Sequence, residues 1–144
     1  MPELRNLHRI FVVDDEPAIA FTLARILCSQ GYDATPFTQS AEALQAAHSA
    51  APDLLLTDAL MPSMSGIELG VQMRKFSPDC KVFVLSGRPA TADQLATYCT
   101  SEFEFEFLAK PVHPANLLGK IRFLDGKPKP PQSAPHWELE LRTA

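Results

Sequence analysis

Long apolar runs are missing from this sequence, and so are clustered cysteines. No stretch approaches the ~20 apolar residues that a helix needs to cross a bilayer, so we expect no membrane contact. The N-terminal residues MPELRNLHR are polar, which argues against a secretory signal. Cys28, Cys80 and Cys99 are well separated and odd in number, which argues against a disulfide framework. We therefore expect mostly buried, reduced thiols in a cytoplasmic protein.

Clusters of basic residues and of histidines are also absent. Lys and Arg number 13 against 17 Asp and Glu, and the net charge is −4. Nucleic-acid binding needs Lys and Arg gathered on one surface, and here they are dispersed, so we expect no direct DNA binding. The histidines have no metal-ligand spacing, and we interpret them as surface or cap residues: His8, His48, His113 and His136.

The chain has the length and composition of one globular domain. It has 144 residues, of which 46% are hydrophobic and 21% charged, and a chain of this size can bury a sizeable core. The first apolar run, RIFVV, stops abruptly at Asp14-Asp15, which is typical of a buried parallel strand. Strands are predicted at 9–13, 32–37, 54–57, 81–85 and 105–109, and helices at 17–30, 40–49, 66–76, 91–99 and 114–124.

The alternation of strands and helices predicts an α/β fold. Alternating β and α elements give a parallel sheet with helices on both faces, and five strands favour the flavodoxin-like order 2-1-3-4-5. We assign residues 8–124 to this domain. Residues 125–144 are a Pro-rich linker, GKPKPPQSAP, and a short tail, HWELELRTA. The residues after Leu124 are too few for a helix-turn-helix or enzymatic module, so we expect no output domain.

Polar side chains follow four of the predicted strands. They are Asp14 and Asp15, Asp58, Ser86 and Lys110. The carboxyl ends of the strands in an open α/β sheet form the ligand-binding edge, so these side chains should meet there. Two unit charges ~4 Å apart repel by about 4 kcal/mol at an effective dielectric near ~20, so three carboxylates require a cation.

This set of groups suits phosphoryl chemistry. Oxygen ligands favour Mg²⁺, which takes one or two carboxylates together with phosphate oxygens. A carboxylate can act as the nucleophile. Lys110 supplies a fixed positive charge and Ser86 a hydrogen-bond donor for a phosphoryl group. Gly87 allows a close backbone approach.

Four motifs together resemble the receiver domain of bacterial two-component response regulators. They are Asp14-Asp15 after the first strand, D-x-x-M-P-x-M-x-G from Asp58 to Gly66, Ser86-Gly87, and Lys110-Pro111. The resemblance implies that Asp58 is the phosphoryl acceptor. It also implies that Asp15, Asp58 and the backbone carbonyl of Leu60 hold Mg²⁺, and that Asp14 assists partly through water.

The same resemblance implies roles for the other site residues. Lys110 would contact the phosphoryl group, Ser86 would move toward it after transfer, and Phe107 would occupy the aromatic switch position. The Lys110–Pro111 peptide bond is expected to be cis. We further expect Leu60 and Arg88 to influence how long the phosphoryl group persists, because they flank the path of the attacking water.

The resemblance also implies partners. The donor would be a sensor histidine kinase or a histidine phosphotransfer protein. The output would be contact with a downstream protein or onward phosphotransfer, and a homodimer is possible. The chain would catalyse only its own phosphorylation and dephosphorylation, and would not be an enzyme otherwise.

Three rivals and one departure accompany this interpretation. A haloacid-dehalogenase-like phosphatase would carry D-x-D after the first strand, and a flavin-binding module would carry a phosphate loop there. A receiver-like scaffold that accepts no phosphate is the third rival. The departure is Phe103, where the family often has a small residue, and we interpret Phe103 and Phe105 as core residues.

The tail has two interpretations. Its linker buries little and should stay solvated. However, Trp137, Leu139 and Leu141 alternate with charged residues, which would put them on one face of an extended segment. Our hypothesis is that residues 136–142 pack on this domain or on a second copy, and that phosphorylation loosens them.

Overall fold

The computed structural model describes residues 7–87, 105–124 and 137. This part of the chain contains five strands and four helices. The strands are β1 (Arg9–Val13), β2 (Asp33–Phe37), β3 (Leu54–Asp58), β4 (Lys81–Ser86) and β5 (Glu106–Ala109). The helices are α1 (Pro17–Ser29), α2 (Ser40–Ser49), α3 (Gly66–Phe76) and α4 (Pro114–Leu124). The helix predicted over 91–99, together with Arg88, Cys99 and Phe103, lies outside the described residues.

All five strands are parallel and form one sheet in the order β2-β1-β3-β4-β5. At the carboxyl end of β1, Val13 lies beside Phe37 of β2 and Thr57 of β3. The predicted fold class and strand order are therefore confirmed. The predicted strand and helix bounds agree with the structure within one residue for the described elements.

Helices cover both faces of the sheet, and each face has its own core. Ile10 and Val12 of β1 belong to a buried cluster with residues of α1 and α4, such as Leu27 and Ile121. Phe11 and Val13 point to the opposite cluster, which α2 and α3 cover. Both sides of β1 are thus buried, which is why its sequence is apolar without interruption.

Single residues determine where several of the helices begin or end. Pro17 lies in the first turn of α1, where its missing N–H costs nothing. Gly31, just after α1, has φ 96°, a conformation that glycine adopts readily. The hydroxyl of Ser65 accepts a hydrogen bond from the Glu68 N–H and caps α3.

Ser40 does not cap α2, although serine at the start of a helix is typically a cap. Gln39 is the capping residue and makes no side-chain cap, whereas Ser40 is the first residue of the helix. The Ser40 hydroxyl is buried and donates to the carbonyl of Met64, at 3.1 Å. A buried hydroxyl needs a partner, and the nearest partner lies on the loop after β3, so Ser40 ties α2 to that loop.

Other expectations about single residues are met in the described residues. Cys28 and Cys80 are buried and are in no disulfide. His8, His48 and His113 are exposed, and Nδ1 of His113 accepts from the Ala115 N–H at the start of α4. None of the described helices has both the length and the apolar character that crossing a membrane requires.

Phe105 is a core residue, as predicted. Its side chain is buried in the α2–α3 cluster. A methyl group added at Gly70 of α3 would lie 2.9 Å from the Phe105 ring, so ring and helix backbone are in direct contact. Phe105, just before β5, therefore packs against α3.

Candidate functional site

The carboxyl ends of four neighbouring strands carry the predicted polar residues. Asp14 follows β1, Asp58 ends β3, Ser86 ends β4 and Lys110 follows β5. The strand register aligns these ends, because Asp58 pairs with Leu85 and Ser86 pairs with Ala109. Residues distant in sequence are thus brought to one edge of the sheet.

Three carboxylates form a cluster at this edge. Asp14, Asp15 and Asp58 each offer an oxygen, and these oxygens all lie within 4.8 Å of one another. Their exposure differs: Asp14 is buried, Asp58 is half-buried and Asp15 is exposed. Carboxylates at this separation repel, so the cluster attracts cations.

Lys110 bridges two of the three carboxylates. Its Nζ lies 3.0 Å from Oδ1 of Asp58 and 3.1 Å from Oδ2 of Asp14. Partial burial of the ammonium acts to lower the pKa of Lys110, but the hydrogen bonds and charges of Asp58 and Asp14 outweigh burial, so that pKa is raised. The ammonium therefore stays charged within the cluster.

The Asp14 side chain has partners on both oxygens. Oδ2 faces Lys110, and Oδ1 accepts from the Glu16 N–H at 2.9 Å. Its backbone N–H donates to the carbonyl of Phe37 at 3.0 Å. Asp14 is thus fixed by the sheet, by the start of α1 and by Lys110, which explains how a carboxylate can be buried here.

Close contacts hold the backbone around Asp58 in place. The Thr57 hydroxyl donates to the Asp58 carbonyl at 3.0 Å, and the Ala59 N–H donates to the Leu85 carbonyl at 2.8 Å. A methyl group added at Gly66 would lie 1.9 Å from the Asp58 carbonyl oxygen. The start of α3 therefore reaches β3 only because residue 66 lacks a side chain.

Sequence reasoning assigned no role to Thr57 and did not foresee this contact of Gly66. Thr57 is completely buried in β3. The signal was Thr57 itself, the one polar residue before Asp58 in the run LLLTD, because a hydroxyl in a buried strand must find a hydrogen-bond partner.

The remaining predicted residues lie around the cluster. Ser86 is half-buried, and its carbonyl accepts from the Lys110 N–H at 2.9 Å. Phe107 is half-buried on β5, where it pairs with Val84 and packs against the α2–α3 cluster. Leu60 is exposed in the loop between β3 and α3. The Lys110–Pro111 bond is cis, so that prediction is confirmed.

The donor set fits a hard divalent cation. Three carboxylates against one ammonium leave a net negative charge at the cluster. Carboxylate oxygens are the ligands that Mg²⁺ prefers, and Mg²⁺ keeps several waters, which suits the exposed carboxylate of Asp15. Asp14, Asp15 and Asp58 could therefore hold such an ion. Their roles stay predictions.

Comparison with known proteins agrees with this arrangement. The family model of the response regulator receiver domain matches residues 10–122. Response regulator MprA of Mycobacterium bovis is 32% identical over 126 residues, which are 88% of this chain and 54% of that protein. MprA of Mycobacterium leprae has the same identity and coverage. The chain thus spans about half the length of the curated relatives it matches.

Solved structures share the fold. A CheY-like receiver domain protein from Methanospirillum hungatei superimposes with a TM-score of 0.73 and 29% identity, covering 82% of this chain and 93% of that one. Response regulator TrrA of Thermotoga maritima, crystallised in complex with Mg²⁺-BeF, has a TM-score of 0.69 and 30% identity, covering 82% and 99%. From the family match and the shared fold, we conclude that this chain belongs to the response regulator receiver domain family.

Proposed function

We propose that this protein carries a signal as a phosphoryl group on Asp58, received from a phosphohistidine of a sensor histidine kinase or histidine phosphotransfer protein. The observation that carries this proposal is the position of Lys110, whose ammonium lies 3.0 Å from Asp58 Oδ1 inside a cluster of three carboxylates. Phosphoryl transfer to a protein carboxylate requires a nucleophilic carboxylate with a fixed positive charge beside it.

The transfer is a substitution at phosphorus. A carboxylate oxygen of Asp58 bonds to phosphorus while the phosphorus–nitrogen bond breaks, and the imidazole nitrogen keeps the electron pair. Lys110 offsets the negative charge of the incoming group, and the hydrogen bonds and charges of Asp58 and Asp14 raise its pKa against the effect of burial, so it is charged before the transfer. Positioning and charge compensation supply most of the catalysis.

Asp14, Asp15 and Asp58, with the backbone carbonyl of Leu60, would hold Mg²⁺. The ion supplies charge neutralisation for the carboxylates and the phosphoryl oxygens. Asp14 already binds Lys110 and the Glu16 N–H, which supports a role for Asp14 that is partly mediated by water.

Ser86 and Phe107 would carry the response to the surface. Ser86 lies at the end of β4, and its hydroxyl would donate to a phosphoryl oxygen. Phe107 lies on the adjacent strand β5 and is half-buried, so a change at β4 can alter its exposure. The output would be contact with a downstream protein or onward phosphotransfer. We expect no direct DNA binding, catalysis limited to its own phosphorylation and dephosphorylation, and a cytoplasmic location.

Phosphorylation from a small donor tests the proposal. Incubation with acetyl phosphate and Mg²⁺ should add one phosphoryl mass to the intact protein, and EDTA should prevent this. Asp58→Asn should abolish the addition. Asp79→Asn, which changes an exposed carboxylate before β4, is the matched control and should be labelled like the wild type. Labelling that survives Asp58→Asn would move the acceptor elsewhere, and an unlabelled wild type would favour the scaffold rival.

Metal binding has a readout of its own. Mg²⁺ should raise the thermal unfolding midpoint, since an ion at a hundredfold its Kd stabilises by about 2.7 kcal/mol. Asp15→Asn should weaken this effect, because it removes an exposed oxygen ligand from the cluster. A wild-type midpoint that does not respond to Mg²⁺ would exclude this ion site.

A further inference from the structure

Trp137 of the C-terminal tail is docked on the domain. Its side chain is only 5% exposed and belongs to the core cluster shared by the sheet, α1 and α4. The indole Nε1 donates to the carbonyl of Ala34 at 2.9 Å. The indole also packs against Phe21 of α1, with ring centroids 5.5 Å apart and tilted by 51°. The predicted docking of the tail on this domain is thus confirmed for Trp137, although this residue is helical and not extended as the alternation predicted. That phosphorylation loosens it stays a prediction, and the other residues from 136 to 142 lie outside the described residues.

The strand that receives the indole is an edge of the described sheet. β2 pairs only with β1 in the strand order. The N–H of Asp33 and the carbonyl of Phe37 bond toward β1. Because backbone groups alternate in direction along a strand, those of Ala34 and Pro36 face the open side. An open edge is a template for pairing with another chain.

At each of the two outward-facing residues of β2, one backbone group is unavailable for pairing with another strand. Pro36 has no N–H to donate. The carbonyl of Ala34 is bonded by the indole of Trp137, and the Cys28 thiol also approaches it at 3.4 Å. Pro36 and the docked indole of Trp137 therefore both limit pairing at the open side of β2.

We propose that Trp137 is an intramolecular guard of the β2 edge, and that its withdrawal lets this edge pair with the β2 edge of a second copy of the chain. A second copy is the expected occupant because the N–H and the carbonyl of Ala34 both face the open side, so about a two-fold axis the Ala34 N–H of each copy can donate to the Ala34 carbonyl of the other. The Trp137–Phe21 contact fixes the guard by covering apolar surface that would otherwise face water.

Oligomeric state tests the guard. The unphosphorylated full-length wild type should be monomeric by light scattering at all concentrations, with buried-indole fluorescence that acrylamide quenches poorly. Trp137→Ala should give a dimer whose fraction rises with concentration. A synthetic peptide of residues 132–144 added in excess should return Trp137→Ala to monomer, and the same peptide with Ala in place of Trp should not.

Two further variants separate the effect of Trp137 from that of Pro36 and provide a control. Pro36→Val restores an N–H on the open side but should stay monomeric while Trp137 is present, and it should increase dimerisation when combined with Trp137→Ala. Phe123→Ala removes an aromatic side chain that is 80% exposed on α4, and should have no effect.

The proposal is overturned if folded Trp137→Ala has the wild-type mass at every concentration, if the peptide does not reverse its dimer, or if the wild type has the emission of a fully exposed indole. Should Trp137→Ala fail to fold, Trp137→Phe decides. Phe keeps the ring contact with Phe21 but cannot donate to Ala34, so a measurable dimer is expected, and an unchanged monomer refutes the guard.

Discussion

Gly66→Ala should be among the most damaging methyl additions in the described chain. The new methyl group would lie 1.9 Å from the Asp58 carbonyl oxygen and 2.8 Å from its carbon. Ordinary contact distances would require a backbone shift of about 1.5 Å. The atoms in the way are main chain of a buried strand, not the end of a flexible side chain, so we expect a loss of about 3 kcal/mol or more.

Urea unfolding measures this loss. With a slope of about 2 kcal/mol per molar, a loss of about 3 kcal/mol lowers the midpoint by roughly 1.5 M. Gly119→Ala is the matched control, because a methyl group there has no atom within 4 Å. Replacing an exposed helical glycine by alanine should stabilise the protein by about 0.5–1 kcal/mol. The same chemical change should thus have opposite signs at the two positions.

The phosphorylation rate gives an independent readout. A shift of the Asp58 backbone moves the acceptor away from Lys110, so Gly66→Ala protein that remains folded should accept phosphate from acetyl phosphate more slowly. Gly119→Ala should keep the wild-type rate. If Gly66→Ala unfolds at the wild-type urea concentration, α3 does not need its close approach to β3, and the argument from the 1.9 Å contact fails.

Three further predictions concern single side chains. Asp53→Ala should lower the free energy of unfolding in urea by about 1–3 kcal/mol, because Oδ2 of Asp53 accepts from the N–H groups of His8 and Arg9 at 2.9 Å each. Asp53→Asn keeps one acceptor oxygen and should lower it less, and equal losses for the two variants would contradict this reasoning. Lys120→Ala should change stability by less than about 1 kcal/mol, since its ion pair with Glu106 is half exposed on both sides; a larger loss would show a contribution beyond the pair. Leu60→Asn should change the half-life of phosphorylated protein, because Leu60 is 61% exposed beside the acceptor and Asn can hydrogen-bond an attacking water; an unchanged half-life would show that this position does not matter.

The strands and the polar edge could be predicted because their signals are local. A strand buried on both faces is mostly apolar, and in β1 and β3 the first acidic residue marks its end. Parallel strands in one sheet then bring these ends together whatever the loops do. The proximity of Lys110 to Asp58 follows from strand order and not from any sequence proximity.

Contacts between distant side chains could not be predicted in this way. Ser40 is a residue type that commonly caps helices, but its hydroxyl donates to the carbonyl of Met64, 24 residues away. The alternation around Trp137 indicated docking but not the site, because the pattern does not show that the indole N–H reaches the carbonyl of Ala34 in β2. Tertiary position decides such contacts, and local propensity does not encode it.

The different exposures of the three carboxylates suggest how the site divides its tasks. Asp14 is only 2% exposed, and both its oxygens already have partners, so its charge is balanced by the protein itself. Asp15 faces solvent, and Oδ1 of Asp58 is paired with the ammonium of Lys110. A cation that releases water reluctantly binds most easily where carboxylates face water, which favours Asp15 and Asp58 as its direct ligands. Asp14 and Lys110 then form a charge pair beside Asp58.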